Sequence, residues 1–198
     1  MKGVADSSPL HYLVQIKAEN VLRQLFVELI TPPEVIAELT HPRAPDAVRS
    51  WAADPPSWLH VVPVRHGVDD LGLGPGETAA IALALETPAD TLLIDERAGT
   101  SVAKRRGIRT TGTVAILVMA ADLPPLNEAT SGATILGGRN QGRAGHRPGI
   151  DSGTFEFEVV DPHLGEPVQL FVDERDRRVG QRQAGPNQVC EKIGRAHV

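Results

Sequence analysis

Strand-like and helix-like segments alternate along residues 1–126, and this alternation constrains the fold more than any other feature of the sequence. The strand-like segments are short, and most are apolar or β-branched; they are residues 3–6, 29–31, 59–64, 91–94 and 107–110. Segments of helical character separate them, and the clearest is the alanine-rich stretch 77–86. Alternation of this kind predicts an α/β fold in which an open parallel sheet has helices on both faces.

The amino-acid composition changes near Leu126. About 47% of residues 1–126 are hydrophobic, against about 31% of residues 127–198, and the second part holds more than half of the 19 glycines. Fewer apolar side chains give less burial to offset the larger conformational entropy of a glycine-rich chain. We therefore expect a folded domain over residues 1–126, which carries the function, and an irregular, poorly ordered extension over residues 127–198.

Two features of the extension favour different origins for it. Residues 154–160 and 168–172 are strand-like, which favours a genuine small β-hairpin appendage. The terminal sequence Ile-Gly-Arg-Ala-His-Val is what one reading frame of a widely used sequencing adapter encodes. Our hypothesis is that the extension is frame-shifted or adapter-derived, with the hairpin as the alternative. An intact gene with other codons at this point would contradict the hypothesis.

Simple features of the sequence disfavour several classes of protein. The N-terminus has no apolar run suitable for a signal peptide, and the longest apolar stretch, residues 114–121, is short for a membrane span, so we expect a cytoplasmic protein without membrane contact. Cys190 is the single cysteine, and the histidines have no zinc-ligand spacing with it. The net charge of −5 argues against holding nucleic acid by bulk electrostatics, but a local basic patch with metal ions is compatible with it.

Acidic residues stand where predicted strands end or the following helices begin. Asp6 follows the first strand, Asp95 follows the fourth, Glu77 opens the alanine-rich helix, and Glu38 lies in the helix after the second strand. Ligands of open parallel sheets bind at the carboxyl ends of the strands, so all four side chains can face one cleft. Crowded carboxylates suit Mg²⁺ or Mn²⁺, which support in-line hydrolysis of a phosphodiester. The alternative for each acid is a solvated surface group or a helix cap.

Other polar residues near these acids have two interpretations each. Ser7 can cap a helix or hydrogen-bond to the Asp6 carboxylate. Glu96 is either an extra ligand or an exposed residue. Basic residues that follow the fourth strand form either a path for phosphates or a solvated helix face; they are Arg97, Lys104, Arg105, Arg106 and Arg109. We predict that Ser7, Arg97 and Arg105 contact the substrate.

Five segments of the chain carry recognisable motifs. They are Asp6-Ser-Ser-Pro-Leu, Pro33-Glu-Val-Ile-Ala-Glu-Leu, Gly74-Pro-Gly-Glu-Thr-Ala-Ala-Ile-Ala-Leu-Ala-Leu-Glu, Leu92-Leu-Ile-Asp-Glu-Arg-Ala-Gly and Gly107-Ile-Arg-Thr-Thr-Gly-Thr. Together and in this order they resemble the PIN-domain superfamily, and most of all its branch of stand-alone, VapC-like proteins. The resemblance runs from about Val4 to Leu126.

The resemblance implies a Mg²⁺- or Mn²⁺-dependent endoribonuclease, commonly the toxin of a toxin–antitoxin pair and commonly a homodimer, with RNA and a cognate antitoxin as partners. The family's catalytic acids are matched by Asp6, Glu38, Glu77 and Asp95. Of these, Asp6, Glu77 and Asp95 would hold the metal. Glu77 is one methylene longer than the Asp of many members, and the family's C-terminal helices have no counterpart after Leu126. The alternative hypothesis is a catalytically silent PIN-like binding module.

Overall fold

The computed structural model describes residues 1–66 and 70–121, and it describes the backbone of five further strands in the C-terminal part. The chain divides into two compact units, Met1–Ile116 and Leu117–Val198. The domain boundary predicted at Leu126 lies outside the described residues, and so does the adapter-like terminus after Ile193.

A parallel sheet of five strands forms the centre of the first unit. Its strands are β1 (Lys2–Ala5), β2 (Glu28–Thr31), β3 (Leu59–Val61), β4 (Thr91–Leu93) and β5 (Thr110–Thr111). Their order across the sheet is β3-β2-β1-β4-β5, and every neighbouring pair is parallel. The α/β fold with a parallel sheet, which the alternating pattern predicts, is confirmed.

Seven helices lie in the described part of the chain. They are α1 (Ser7–Gln15), α2 (Asn20–Leu25), α3 (Pro33–Leu39), α4 (Asp46–Ala53), α5 (Pro75–Glu86), α6 (Arg97–Arg105) and α7 (Thr113–Ala121). Each of β1 and β4 contains consecutive buried residues, Val4 with Ala5 and Leu92 with Leu93. Because successive side chains of a strand point to opposite faces, both faces of the sheet are covered. No helix among the described residues is long and apolar enough to cross a membrane.

The strand order reverses at β1, which lies between β2 and β4. Gly3 is in register with Leu29 on one side and with Thr91 on the other. The Asp6 N–H donates to the Leu93 carbonyl at 2.9 Å and so continues the pairing beyond the end of β1. This reversal is the position at which parallel α/β sheets bind their ligands, because the two chain crossovers leave a crevice between them.

Two strands of the sheet are shorter or later than their sequence patterns predict. β3 ends at Val61, and after Val62 donates to the Thr31 carbonyl the chain reaches Pro63, which has no N–H to continue the ladder. β5 begins only at Thr110, because Gly107 takes φ +78° and closes α6. A proline and a glycine therefore set these boundaries.

The C-terminal part contains a separate antiparallel sheet. Its strands are β6 (Thr134–Asn140), β7 (Thr154–Val160), β8 (Val168–Asp173), β9 (Arg178–Arg182) and β10 (Cys190–Ile193), each paired with the next along the chain. The two strands predicted from the sequence, β7 and β8, are confirmed. The other three contain glycines or charged residues, whose low strand propensity hides them from a pattern search.

Candidate active site

The Asp6 carboxyl group lies at the reversal point and is fully buried, with 0% of the residue exposed. It stands at the position that caps α1, yet neither carboxyl oxygen has a hydrogen-bond partner of standard geometry. The pKa of Asp6 is raised to about 7, mainly by burial. The charges of Glu77 and Glu38 contribute to the rise, and the N–H groups of Ser7 and Ser8 oppose it. An acid so placed is costly to ionise unless a cation lies beside it.

Glu77 is the third residue of α5, a helix that packs against β1 and β4. Its Oε2 accepts a hydrogen bond from the Gly74 N–H at 3.2 Å, which is half of a capping box. Its Oε1 is buried and has no partner. Burial raises the pKa of Glu77, and the charges of Glu96 and Glu38 add to the rise, although the Gly74 N–H opposes it. Glu77 is thus the second of these acids with an unsatisfied carboxylate oxygen.

Glu38 reaches the same region from the last turn of α3. Its Oε1 accepts a hydrogen bond of 2.7 Å from the N–H of Gly76, the second residue of α5. The first N–H groups of a helix have no partner within the helix and carry partial positive charge. The start of α5 therefore holds two carboxylates, one from its own first turn and one from α3.

Asp95 differs from the other three acids because both of its oxygens have a partner. Oδ1 accepts from the Thr113 N–H at 2.8 Å, and Oδ2 accepts from the Thr113 hydroxyl at 2.6 Å. Thr113 is the first residue of α7 and is buried. Asp95 therefore satisfies a free N–H of a helix that begins 18 residues later, in the manner of an N-cap.

The donor set of this site fits a hard divalent cation. All of its groups are carboxylates, and three buried oxygens, two on Asp6 and one on Glu77, have no partner. Within the ranges that the structure describes, however, no three Asp, Glu, His or Cys side chains are close enough together to hold a metal ion. The charges of Glu77 and Glu38 act on Asp6, and those of Glu96 and Glu38 act on Glu77, so these acids influence one another electrostatically.

A comparison with protein families decides the identity of the fold. The family profile of DUF3368, described as a PIN domain, matches residues 2–131. The chain belongs to this family of PIN domains. No curated protein matches the chain. PIN domains are generally nucleases, so the fold is of the nuclease type.

The other predicted site residues of this PIN domain lie on α1 and α6. Ser7 is half-buried, and its N–H lowers the pKa of the adjacent Asp6. Arg97 and Arg105 are both exposed, but they are the first and last residues of α6 and stand about 12 Å apart along its axis. Only Arg97 is at the end of α6 that follows Asp95. Glu96 is half-buried, and its charge acts on Glu77, which favours the interpretation that includes it in the acidic group.

Sequence reasoning missed Thr113 as a partner of the PIN domain's fourth acid. The available signal was a Gly-Thr pair immediately before an apolar helix, since threonine is common where helices start. That signal shows where α7 begins. It does not show that a residue 18 positions earlier in the chain accepts the first hydrogen bonds.

Proposed function

We propose that this PIN domain is a Mg²⁺- or Mn²⁺-dependent endoribonuclease that hydrolyses RNA phosphodiesters. The observation that supports it most is Asp6, a fully buried acid whose two oxygens have no hydrogen bond of standard geometry and whose pKa is raised to about 7, mainly by burial and also by the charges of Glu77 and Glu38. A protein that needed Asp6 only for folding would give its carboxylate hydrogen-bond partners, because an unpaired buried carboxylate is destabilising. Groups whose pKa is displaced by burial and by like charge are enriched at functional sites.

Each acid has a distinct part in the proposed site. Asp6 and Glu77 would hold the cation through the oxygens that have no hydrogen-bond partner. Asp95, whose orientation Thr113 fixes, would be the third ligand. When bound, such an ion lowers the pKa of a water molecule and stabilises charge on the phosphate. Glu38, held by the Gly76 N–H, is the further acid, and it is the candidate to accept a proton from the attacking water. Arg97, exposed at the near end of α6, can neutralise a phosphate.

The biological setting that we propose is that of a toxin in a toxin–antitoxin pair. It rests on the resemblance of residues 4–126 to stand-alone, VapC-like proteins and on membership of the PIN family. The expected partners are a cognate antitoxin and a second copy of the chain, in the cytoplasm. Growth arrest on induction of the protein, relieved by co-expression of the neighbouring gene, would support the assignment, whereas normal growth would contradict it.

The proposed activity is tested by incubating the purified protein with Mn²⁺ or Mg²⁺ and a panel of RNAs. We expect cleavage that EDTA stops and that Asp6→Asn and Asp95→Asn each abolish, with circular dichroism unchanged. Glu34→Gln, a change of an exposed carboxylate in the first turn of α3, is the matched control and retains activity. Undiminished cleavage by both Asn variants would show that the activity arises elsewhere.

A second candidate is a catalytically silent PIN-like module that binds RNA. It is favoured by the engagement of both Asp95 oxygens with Thr113 and by the absence, among the described residues, of a three-ligand group. The two candidates give different results with the wild-type protein. The silent module binds RNA but cleaves none of the panel at any concentration of divalent metal.

A further inference from the structure

Three glycines at the starts of helices lie against three of the acidic side chains. A Cβ added at Gly76 would be 2.5–2.7 Å from the carboxyl atoms of Glu38. One added at Gly99 would be 2.7 Å from Oε1 of Glu77, and one added at Gly112 would be 2.9 Å from Oδ1 of Asp95. Real Cβ atoms essentially never come this close to another heavy atom. At each position the carboxylate therefore occupies the space that a side chain would need.

Backbone conformation does not explain these glycines. The described glycines with positive φ are Gly72 and Gly107, and none of the three belongs to that group. Gly76 and Gly99 lie in the first turns of α5 and α6, where alanine has the better helix propensity. The presence of glycine at these positions is therefore explained by the space that it leaves for a neighbouring carboxylate.

Gly99 has the most direct relation to a predicted metal ligand. The oxygen that lies against it, Oε1 of Glu77, is the buried oxygen without a hydrogen-bond partner. The Gly99 Cα lies against Oε1 and has no side-chain hydroxyl or amide that could hydrogen-bond to it, so the lone pairs of Oε1 stay available. The other carboxylate oxygen is fixed by the Gly74 N–H, so the group is held at one end and left open at the other.

We propose that Gly99 is a positioning residue that sets the Glu77 carboxylate for metal binding. The inference rests on the proposed function, in which Glu77 is a ligand. Gly99 acts only through Glu77: because it has no side chain, Oε1 can lie against its Cα. A larger residue moves this oxygen out of the site, although the fold tolerates a shift at the free end of a glutamate side chain.

A purely structural role for Gly99 is the competing explanation, because the same Cβ would meet Cδ1 of Ile94 at 2.5 Å. Ile94 is buried, so Gly99→Ala also disturbs the core. The two contacts can be relieved one at a time. Ile94→Val removes the Cδ1 atom, whereas Glu77→Asp withdraws the carboxylate by one methylene.

The experiment measures Mn²⁺ affinity by electron paramagnetic resonance and thermal stability by circular dichroism, on the full chain. The variants are Gly99→Ala, its double variants with Ile94→Val and with Glu77→Asp, and Glu77→Asp alone. We expect Gly99→Ala to weaken Mn²⁺ binding roughly 10- to 100-fold, the range found when supporting residues of metal sites are changed. Ile94→Val should restore the melting temperature but not the affinity. In the Glu77→Asp background, where the carboxylate no longer meets the added Cβ, Gly99→Ala should weaken Mn²⁺ binding no further.

Gly107→Ala is the matched control. It replaces a glycine at φ +78° with open space around it, so it strains the backbone and lowers the melting temperature while Mn²⁺ affinity is unchanged. Wild-type affinity in Gly99→Ala, or recovery of affinity through Ile94→Val, overturns the positioning role. Either of these outcomes overturns the inference alone. Absence of Mn²⁺ binding by the wild-type protein overturns the proposed function, and the inference with it.

Discussion

Strands β1 and β4 lie side by side, and each is followed by an aspartate, but the two carboxylates have opposite surroundings. Asp6 is fully buried with both oxygens unpartnered, although it stands where a residue could cap α1. Asp95 is half-buried, and both of its oxygens accept hydrogen bonds from Thr113 at the start of α7. Two aspartates at equivalent places in the sheet therefore have opposite effects on the stability of the fold.

If the proposed function is right, the difference separates a carboxylate that serves metal binding, Asp6, from one that also stabilises the fold, Asp95. Ionising Asp6 without a cation is unfavourable, so the folded chain is destabilised by a group that it nevertheless retains. Asp95 contributes to stability through the cap on α7, whatever part it takes in metal binding. Replacing each by its neutral isostere should change stability in opposite directions.

The largest expected effect on stability is at Asp6. Its pKa of about 7 in the folded protein lies above the ordinary 3.8, so between these values the folded state holds a proton that the unfolded state has lost. Stability therefore falls as the pH rises from about 4 to about 7 and stays low above that. At about 1.4 kcal/mol per pH unit the loss approaches roughly 4 kcal/mol.

Asp6→Asn removes this loss, because an amide does not ionise. We expect the variant's stability relative to wild type to rise by roughly 4 kcal/mol between about pH 4 and about pH 8, as measured by urea unfolding in EDTA. Equal pH dependence in the two proteins would mean that Asp6 ionises in the folded state as easily as it does in water.

A smaller effect of the opposite sign is expected at Asp95. Asp95→Asn keeps the shape but loses the charge that faces the N-terminus of α7 and one acceptor for Thr113, so it should destabilise the protein by about 1 kcal/mol at neutral pH. Urea unfolding in EDTA measures the change. Thr113→Val, which removes the hydroxyl, should make the cost of Asp95→Asn smaller in the double variant. A stabilising Asp95→Asn would remove the contrast with Asp6.

The smallest expected effect is on the titration of Asp6 itself. The charges of Glu77 and Glu38 both raise the pKa of Asp6, and the contribution of Glu77 is the larger. Glu77→Gln should therefore lower that pKa, and Glu38→Gln should lower it less, in a carboxyl carbon NMR titration. Glu34→Gln, at an exposed position of α3, should leave it unchanged. The reverse order of Glu77 and Glu38 would mean that α3 lies nearer to Asp6 than α5 does.

Local sequence signals predicted the parts of the site that depend on local structure. Asp6 and Asp95 follow apolar strand-like runs, and Glu77 follows a Gly-Pro-Gly turn, so their places on the elements could be predicted. The partner of Asp95 could not, because Thr113 lies 18 residues away and their contact depends on how α7 follows β5. The neighbour of Gly99 could not be predicted either, since Glu77 lies on another helix.

The sequence by itself determined the α/β class, the positions of most strands and helices in residues 1–121, and the acids at their ends. These features follow from hydrophobic periodicity and turn chemistry within a few residues of chain. Only the tertiary structure decided that β1 lies between β2 and β4, that the buried Asp6 carboxylate has no hydrogen bond of standard geometry, and that Asp95 is paired with Thr113. Burial and hydrogen bonding depend on residues that are distant in the chain, and those contacts determine what each carboxylate can do.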